Sequence, residues 1–302
     1  MIKQCGSFQV HCLDAMFCDV LKFSSMYVLI NKDGEASLFD TGTPRHYYRL
    51  RNELSRIGVH KENLTKIFLS HVHMDHCGNS SLLLRDFPNS KIFAHPTAVV
   101  HLLNPETLIK QTKEVMPSDF DTEFGDNFQP IEKNRIEQTS DNMFIDFCGG
   151  AKLKVLHTPG HAFHHITLIE PDSKLALTGD AFGSRYEHIQ PKSVFASTSP
   201  ATFNPDKFLK SIDHIMNHDI KLVGLTHFGF HDDIGFQAEK TKQWIYRMKE
   251  IINNKEDIST AITNEFFDIF KSKMNKHWMN LRTDLIVNTK GVQMYYDYVN
   301  KD

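Results

Sequence analysis

Residues 69–79, LSHVHMDHCGN, place His71, His73, Asp75 and His76 within six positions. Imidazole and carboxylate are the groups that borderline ions such as zinc and iron accept as ligands. An H-x-H-x-D-H run is dense in such groups, but a metal reading also needs donors from elsewhere in the chain. Three later segments offer them. LHTPGHAFHH presents His161 after Gly160, LALTGDAFG presents Asp180 after Gly179, and VGLTHFG presents His227. Each follows a short apolar run and sits beside glycine, the placement expected if several strands deliver donors to one rim.

The elements that must position these groups read as a mixed α/β chain. MYVLINKDGEASLFD, residues 26–40, reads as two strands around an Asp-Gly turn. RHYYRLRNELSRIG spaces Tyr48, Leu50, Leu54 and Ile57 along one helical face and stops at Gly58. KIFLS is a short β-rich run that leads straight into His71. NSSLLLRDFP then reads as helix, SKIFAH as strand, and 97–116 as helix interrupted near Pro105. Residues 117–142 are polar with little periodicity. AKLKVLH and ITLIEPDSKLALTGD read as strands, the second a hairpin, and ATFNPDKFLKSIDHIMNH as helix. KLVGLTH reads as strand and FGFHDD as loop. Beyond about residue 236 only helical periodicity remains, so we divide the chain into an α/β domain, 1–236, and a helical C-terminal section, 237–302.

Bulk composition narrows the partners. With 40% hydrophobic and 24% charged residues, the 302-residue chain can bury a full core. A net charge of −3 gives no overall basic field for nucleic acid or an anionic membrane. The N-terminus has no apolar signal region, and no apolar run approaches the ~20 residues a membrane span needs. Five cysteines, Cys5, Cys12, Cys18, Cys77 and Cys148, lack C-x-x-C spacing, which fits a reducing cytoplasm better than a disulfide framework. A soft-metal site at Cys5, Cys12 and Cys18 is disfavoured for the same lack of spacing. No dinucleotide fingerprint, phosphate loop or nucleophile elbow is present.

Taken in order, HVHMDH, TPGH, TGD and THFG resemble the metallo-β-lactamase superfamily over roughly residues 20 to 232, closest to its hydrolase branch of glyoxalase II and lactonases. The resemblance implies an αββα sandwich: two sheets face to face, helices outside, and a binuclear site at one edge. It also implies the ligand set. His71, His73 and His161 would hold one metal, Asp75, His76 and His227 the other, and Asp180 would bridge them. Asp40 in LFDTGTP matches an aspartate that supports a ligand histidine by a hydrogen bond, and we read it so over plain turn chemistry. His165 is read as support of the same kind, and His164 as a pocket residue of open role. Cys77 is read as a packed small side chain rather than an activated thiolate. Tyr186 and His188 follow Asp180 closely enough to reach a substrate, with a surface position as the default.

These residues imply a metal-dependent hydrolase. Two divalent ions, zinc preferred with iron or manganese as alternatives, would hold a bridging hydroxide that attacks an ester, thioester or lactone. Asp75 would double as proton shuttle. The expected partner is a small-molecule substrate, with neither nucleic acid nor membrane. The C-terminal helices would cap the pocket or form a homodimer face, and their aromatics, Phe266, Phe267, Phe270, Trp278, Tyr295 and Tyr296, stand at packing intervals. The alternative is a di-iron oxygen-binding, redox or sensor protein on the same fold. Relatives of that kind usually carry glutamate where this chain has His73.

Overall fold

The computed structural model describes residues 1–147, 151–200, 202–271 and 273–300, and the side chains of all of these except 275, 276, 278 and 279. Cys148 and the side chain of Trp278 therefore lie outside the described residues. Strands β1 (Ile2–Cys5), β2 (Phe8–Asp14), β3 (Ser25–Asn31), β4 (Ala36–Phe39), β5 (Leu64–Phe68), β6 (Lys91–Ala94) and β7 (Ile136–Gln138) form a seven-stranded sheet in chain order. Pairing is antiparallel from β1 to β4 and parallel from β4 to β7.

The second sheet takes β8 (Phe144–Phe147), β9 (Ala151–His157), β10 (Ile166–Glu170) and β11 (Leu175–Gly179), all antiparallel. Next in sequence come β12 (Ser184–Arg185) and β13 (Val194–Phe195), which pair with each other as a separate two-stranded sheet. Strands β14 (Leu222–Leu225) and β15 (Gly229–His231) complete the second sheet, in the order β15-β14-β11-β10-β9-β8. The helices are α1 (Tyr47–Arg56), α2 (Met74–Cys77), α3 (Ser80–Asp86), α4 (Val99–Leu103), α5 (Glu106–Val115), α6 (Phe120–Glu123), α7 (Pro205–Met216), α8 (Ile234–Asn253), α9 (Ile258–Phe270) and α10 (Met274–Val299).

Side-chain alternation explains the layering. Along β5, Phe68 packs between the sheets and Ile67 on the opposite face. Along β11, Leu175 and Leu177 point between the sheets while Ala176 turns away. A strand whose successive side chains are all apolar and buried must be covered on both faces. The inter-sheet core joins Phe8, Tyr27, Phe39 and Phe68 of the first sheet to Phe147, Leu153, Ile166 and Leu177 of the second. The outer faces share a larger cluster with Leu54 of α1, Leu83 of α3, Ile212 of α7 and Ile245 of α8. The result is the αββα sandwich expected from the motifs.

Four details differ from the sequence reading. The buried face of α1 carries Tyr47, and Tyr48 is 83% exposed. FGFHDD is not all loop, because Gly229–His231 pairs antiparallel with β14. Strands β1, β2, β7 and β8 had no clear signal. Tyr186 is fully buried rather than on the surface, while His188 is exposed. No helix among the described residues is long and apolar enough to cross a membrane.

Candidate metal centre

The donor-bearing residues all follow strand ends at one rim of the sandwich. Asp40 follows β4, the His71–His76 segment follows β5, His161 follows β9, Asp180 follows β11 and His227 follows β14. Glycines allow the close turns. Gly160 has φ +144, and a Cβ there would lie 2.2 Å from the Phe208 backbone. Gly179 has φ +51, and a Cβ would lie 2.6 Å from His165 Nε2 and from the Ser70 side chain. Neither position tolerates a side chain without displacing a neighbour of the centre.

Three donor sets result, each with its atoms within 4.8 Å of one another: His71, His73 and His161; His71, His76 and Asp180; and Asp75, His76 and His227. In the first set, His71 Nε2 lies 2.7 Å from His73 Nδ1, and His161 Nε2 lies 3.1 Å and 3.0 Å from those two atoms. Asp180 reaches both sides. Its Oδ2 is 3.3 Å from His161 Nε2, and its Oδ1 is 3.5 Å from His76 Nε2 and 3.7 Å from His227 Nε2. Asp75 Oδ2 stands 3.4 Å and 3.5 Å from the same two histidine nitrogens.

The other nitrogen of each histidine is held in place. His71 Nδ1 meets Ser70 Oγ at 3.0 Å, and His73 Nε2 meets Ser199 Oγ at 3.0 Å. His161 Nδ1 and His227 Nδ1 lie 2.8 Å from the carbonyl oxygens of Ser197 and Phe23. His76 Nδ1 is 2.9 Å from Asp40 Oδ2. Such partners fix tautomer and ring orientation and leave the converging nitrogens free to donate lone pairs. Asp40 also accepts from the Ser70 backbone N–H at 2.8 Å and from the Thr226 hydroxyl at 2.9 Å. His165 is engaged at both nitrogens, by the Thr158 hydroxyl at 2.8 Å and the Asp180 backbone N–H at 3.1 Å, so it braces the centre from behind.

Metal ions fit this donor set on two grounds. Three imidazole nitrogens converging within hydrogen-bond distance cannot all be satisfied by protons. Asp180 Oδ1 is also buried without a hydrogen-bond partner, which is costly unless a cation faces it. Protonation splits accordingly. Burial, then neighbouring histidines, hold His71 and His73 well below the ordinary histidine range. Burial also opposes charge on His227 and His76, but the carboxylates outweigh it. Asp180 and Asp75 raise His227 to about 9, and Asp75, Asp180 and Asp40 raise His76 well above its usual value.

The comparison with known proteins agrees with the geometry. A family model for the metallo-beta-lactamase superfamily matches residues 20–227. The chain belongs to the metallo-β-lactamase superfamily. Within that superfamily it is 25% identical over 170 residues to the metallo-beta-lactamase fold-containing protein ST1585 of Sulfurisphaera tokodaii, an alignment covering 56% of this chain and 62% of the relative. The crystal structure of ST1585 superposes over 94% of this chain and 98% of that one, with TM-score 0.66 and 20% identity. The family protein TTHA1429 from Thermus thermophilus gives TM-score 0.64 at 20% identity, over 91% of this chain and 89% of that one. The chemotaxis sensor ODP of T. denticola, in a peroxy diiron state, gives 0.57 at 13% identity, over 80% and 93%.

A cavity of about 660 Å³ opens above these donors, with His73, Asp75, His161, Asp180 and His227 in its wall. Helices α5 and α10 furnish much of the rest, including Leu108, Val115, Thr283, Asp284 and Val287. His164 lines it too, buried with Nδ1 unpartnered, as does His101. Cys77 is fully buried, and burial followed by the charges of Asp75 and Asp40 pushes its thiol well up, which suits a packed, inert side chain. Ser70, Ser197, Ser199 and the Phe23 carbonyl escaped the sequence reading, since a backbone oxygen or a serine in a loop carries no motif. Asp284 and Asn288 had a signal: they stand on one helical stripe with Leu281, Leu285 and Val292, all buried.

Proposed function

We propose that the protein is a binuclear metal-dependent hydrolase of esters, thioesters or lactones, of the glyoxalase II and lactonase kind. The observation that carries this reading is Asp180, whose two carboxylate oxygens face two separate histidine sets on the floor of a cavity large enough to enclose a small molecule. His71, His73 and His161 would hold one ion, Asp75, His76 and His227 the other, with Asp180 shared. Ions bound there, zinc preferred, supply a hydroxide at neutral pH and polarise the oxygen under attack.

The chain's own groups do the rest. Asp75 lies in the cavity wall, and its carboxylate is held well below its usual range, burial being outweighed by His76 and His227. It is placed to relay the proton that the attacking hydroxide still carries to the leaving group. Asp40 and His165 keep the donors aligned, and the apolar cavity wall excludes competing water.

The test is hydrolysis of an ester, thioester and lactone panel by zinc-loaded protein. We expect turnover of at least one class, reduced ~100-fold or more in Asp75→Asn if that carboxylate moves the proton. A second reading, a di-iron oxygen-binding or sensor protein, draws support from the fold shared with ODP and with TTHA1623, which was crystallised in a di-iron-bound form. No turnover of any class, with iron bound and an absorption change on exposure to oxygen, would favour that second reading.

A further inference from the structure

Helix α5 walls the cavity, yet little holds it to the fold. Leu108, Gln111, Thr112 and Val115 line the cavity at helical spacing, while Glu106, Lys110 and Lys113 on the opposite side are exposed. The helix is therefore a single layer between cavity and solvent. Of its ten residues only Leu108 is buried, and Ile109 and Val115 are partly so.

Hydrogen bonding to the rest of the fold is as sparse. Among the described residues, the bonds that tie α5 to a distant part of the chain come from one side chain. Lys290 of α10, itself in the cavity wall, donates to the Glu114 carbonyl at 2.9 Å and to the Val115 carbonyl at 3.0 Å. The last carbonyls of a helix have no donor within it, and the negative end of its dipole favours a cation, so one ammonium answers both needs. The Thr112 hydroxyl turns back to the Leu108 carbonyl of its own helix. At each end the chain leaves the helical path just before a proline: Asn104 has φ −135 ahead of Pro105, and Met116 has φ −124 ahead of Pro117.

We propose that α5 is a door on the cavity, hinged at Asn104 and Met116 and latched by Lys290, so that entry to the donors on the cavity floor follows release of the latch. One buried side chain and two hydrogen bonds from a single residue place α5 at the low end of local stability, where segments that open are found. Hinges of this kind are a few residues at element ends that absorb the change in backbone angles. The door concerns access alone and holds whichever chemistry the centre performs.

The experiment compares the full chain as wild type, Lys290→Met and Lys290→Arg by two readouts that need neither substrate nor turnover. Hydrogen exchange, followed by mass spectrometry, sets peptides covering 106–115 against peptides from α7, which buries Phe208, Ile212 and Ile215. Lys290→Met is expected to speed exchange in 106–115 by ~10-fold, the scale of losing hydrogen bonds from a charged donor, and to leave α7 unchanged. The second readout is alkylation by iodoacetamide of a thiol placed in the cavity wall by Val287→Cys, quantified on its own peptide. In the Lys290→Met background that alkylation should also quicken by ~10-fold, because the reagent enters through the same opening. Lys290→Arg keeps donors for both carbonyls and should return both readouts towards wild type. Unchanged exchange in 106–115 overturns the latch. Faster exchange in α7 as well would make Lys290 a general stabilising contact and overturns it too. Faster exchange of α5 without faster alkylation overturns the door.

Discussion

Asn288 on the last helix presents its side-chain oxygen to Thr198, 3.1 Å from the backbone nitrogen and 2.8 Å from the hydroxyl. Thr198 lies between Ser197 and Ser199, the two residues that orient His161 and His73. The helix backbone comes so close to this loop that a Cβ on Gly291 would lie 1.7 Å from the Thr198 carbonyl oxygen. Helix α10 therefore fixes two donor histidines through a loop it touches but does not contain.

Asn288→Ala should leave the buried Thr198 N–H unpaired and cost ~1–3 kcal/mol of stability. Denaturant unfolding of the metal-free protein measures this directly. If the loop moves as well, affinity at the His71, His73 and His161 set falls with it. An unchanged midpoint would show that α10 does not hold the loop.

Asp40→Asn removes the charge that faces His76 while keeping a side chain of similar shape. Loss of such a support weakens metal binding by ~10–100-fold. Competition with a chromophoric chelator reads the affinity, and a far-ultraviolet spectrum checks that the fold persists. Unaltered affinity would reduce Asp40 to turn chemistry.

Metal uptake should release protons at pH 7. In the metal-free protein His76 is raised well above its ordinary value and His227 to about 9, so both are protonated there. Ions can bind only the neutral rings. The sign also holds for stability. A raised folded-state value stabilises the metal-free fold fully below the unfolded histidine value of about 6.5, and this contribution fades as pH rises through about 9. Calorimetry of zinc binding in buffers of different ionisation heat counts the protons. The count should shrink as pH approaches 9, and a count of zero at pH 7 would contradict the protonation pattern.

Gly160→Ala forces a side chain into the Phe208 backbone at φ +144. Overpacking alone costs ~1–3 kcal/mol, and the backbone conformation adds to it. Thermal unfolding should show a clear loss, together with weaker binding through the displaced His161. A variant as stable as wild type would mean that this turn has more room than the geometry gives it.

The clustered donor residues were legible in the sequence because the H-x-H-x-D-H run needs little more than local pattern, and His161, Asp180 and His227 each stand near a strand end and a glycine. The mixed α/β order followed from short apolar runs between helical stretches, and the sandwich itself from the resemblance that the ordered motifs carry. What stayed hidden depends on contacts remote in sequence. Strand β15 is three residues beside β14, and β7 is a short edge strand in a polar stretch, so neither shows periodicity. Tyr47 and Tyr48 are equally apolar by type, and only packing decides which of them faces inward. Ser199 reaches His73 across 126 positions of chain. Asp284 was visible as a polar residue on an apolar helical stripe, but only the fold shows that the stripe borders the cavity.

The central claim is a centre of two ions sharing Asp180, and the most direct measurement is metal content by mass spectrometry on protein purified without added metal or chelator. About two ions per chain in wild type, and about one or none in Asp180→Ala, is the result this account predicts. Zinc would then sustain the hydrolase reading, and iron would direct attention to oxygen chemistry. Less than one ion per chain, not restored by adding zinc, iron or manganese, would contradict it.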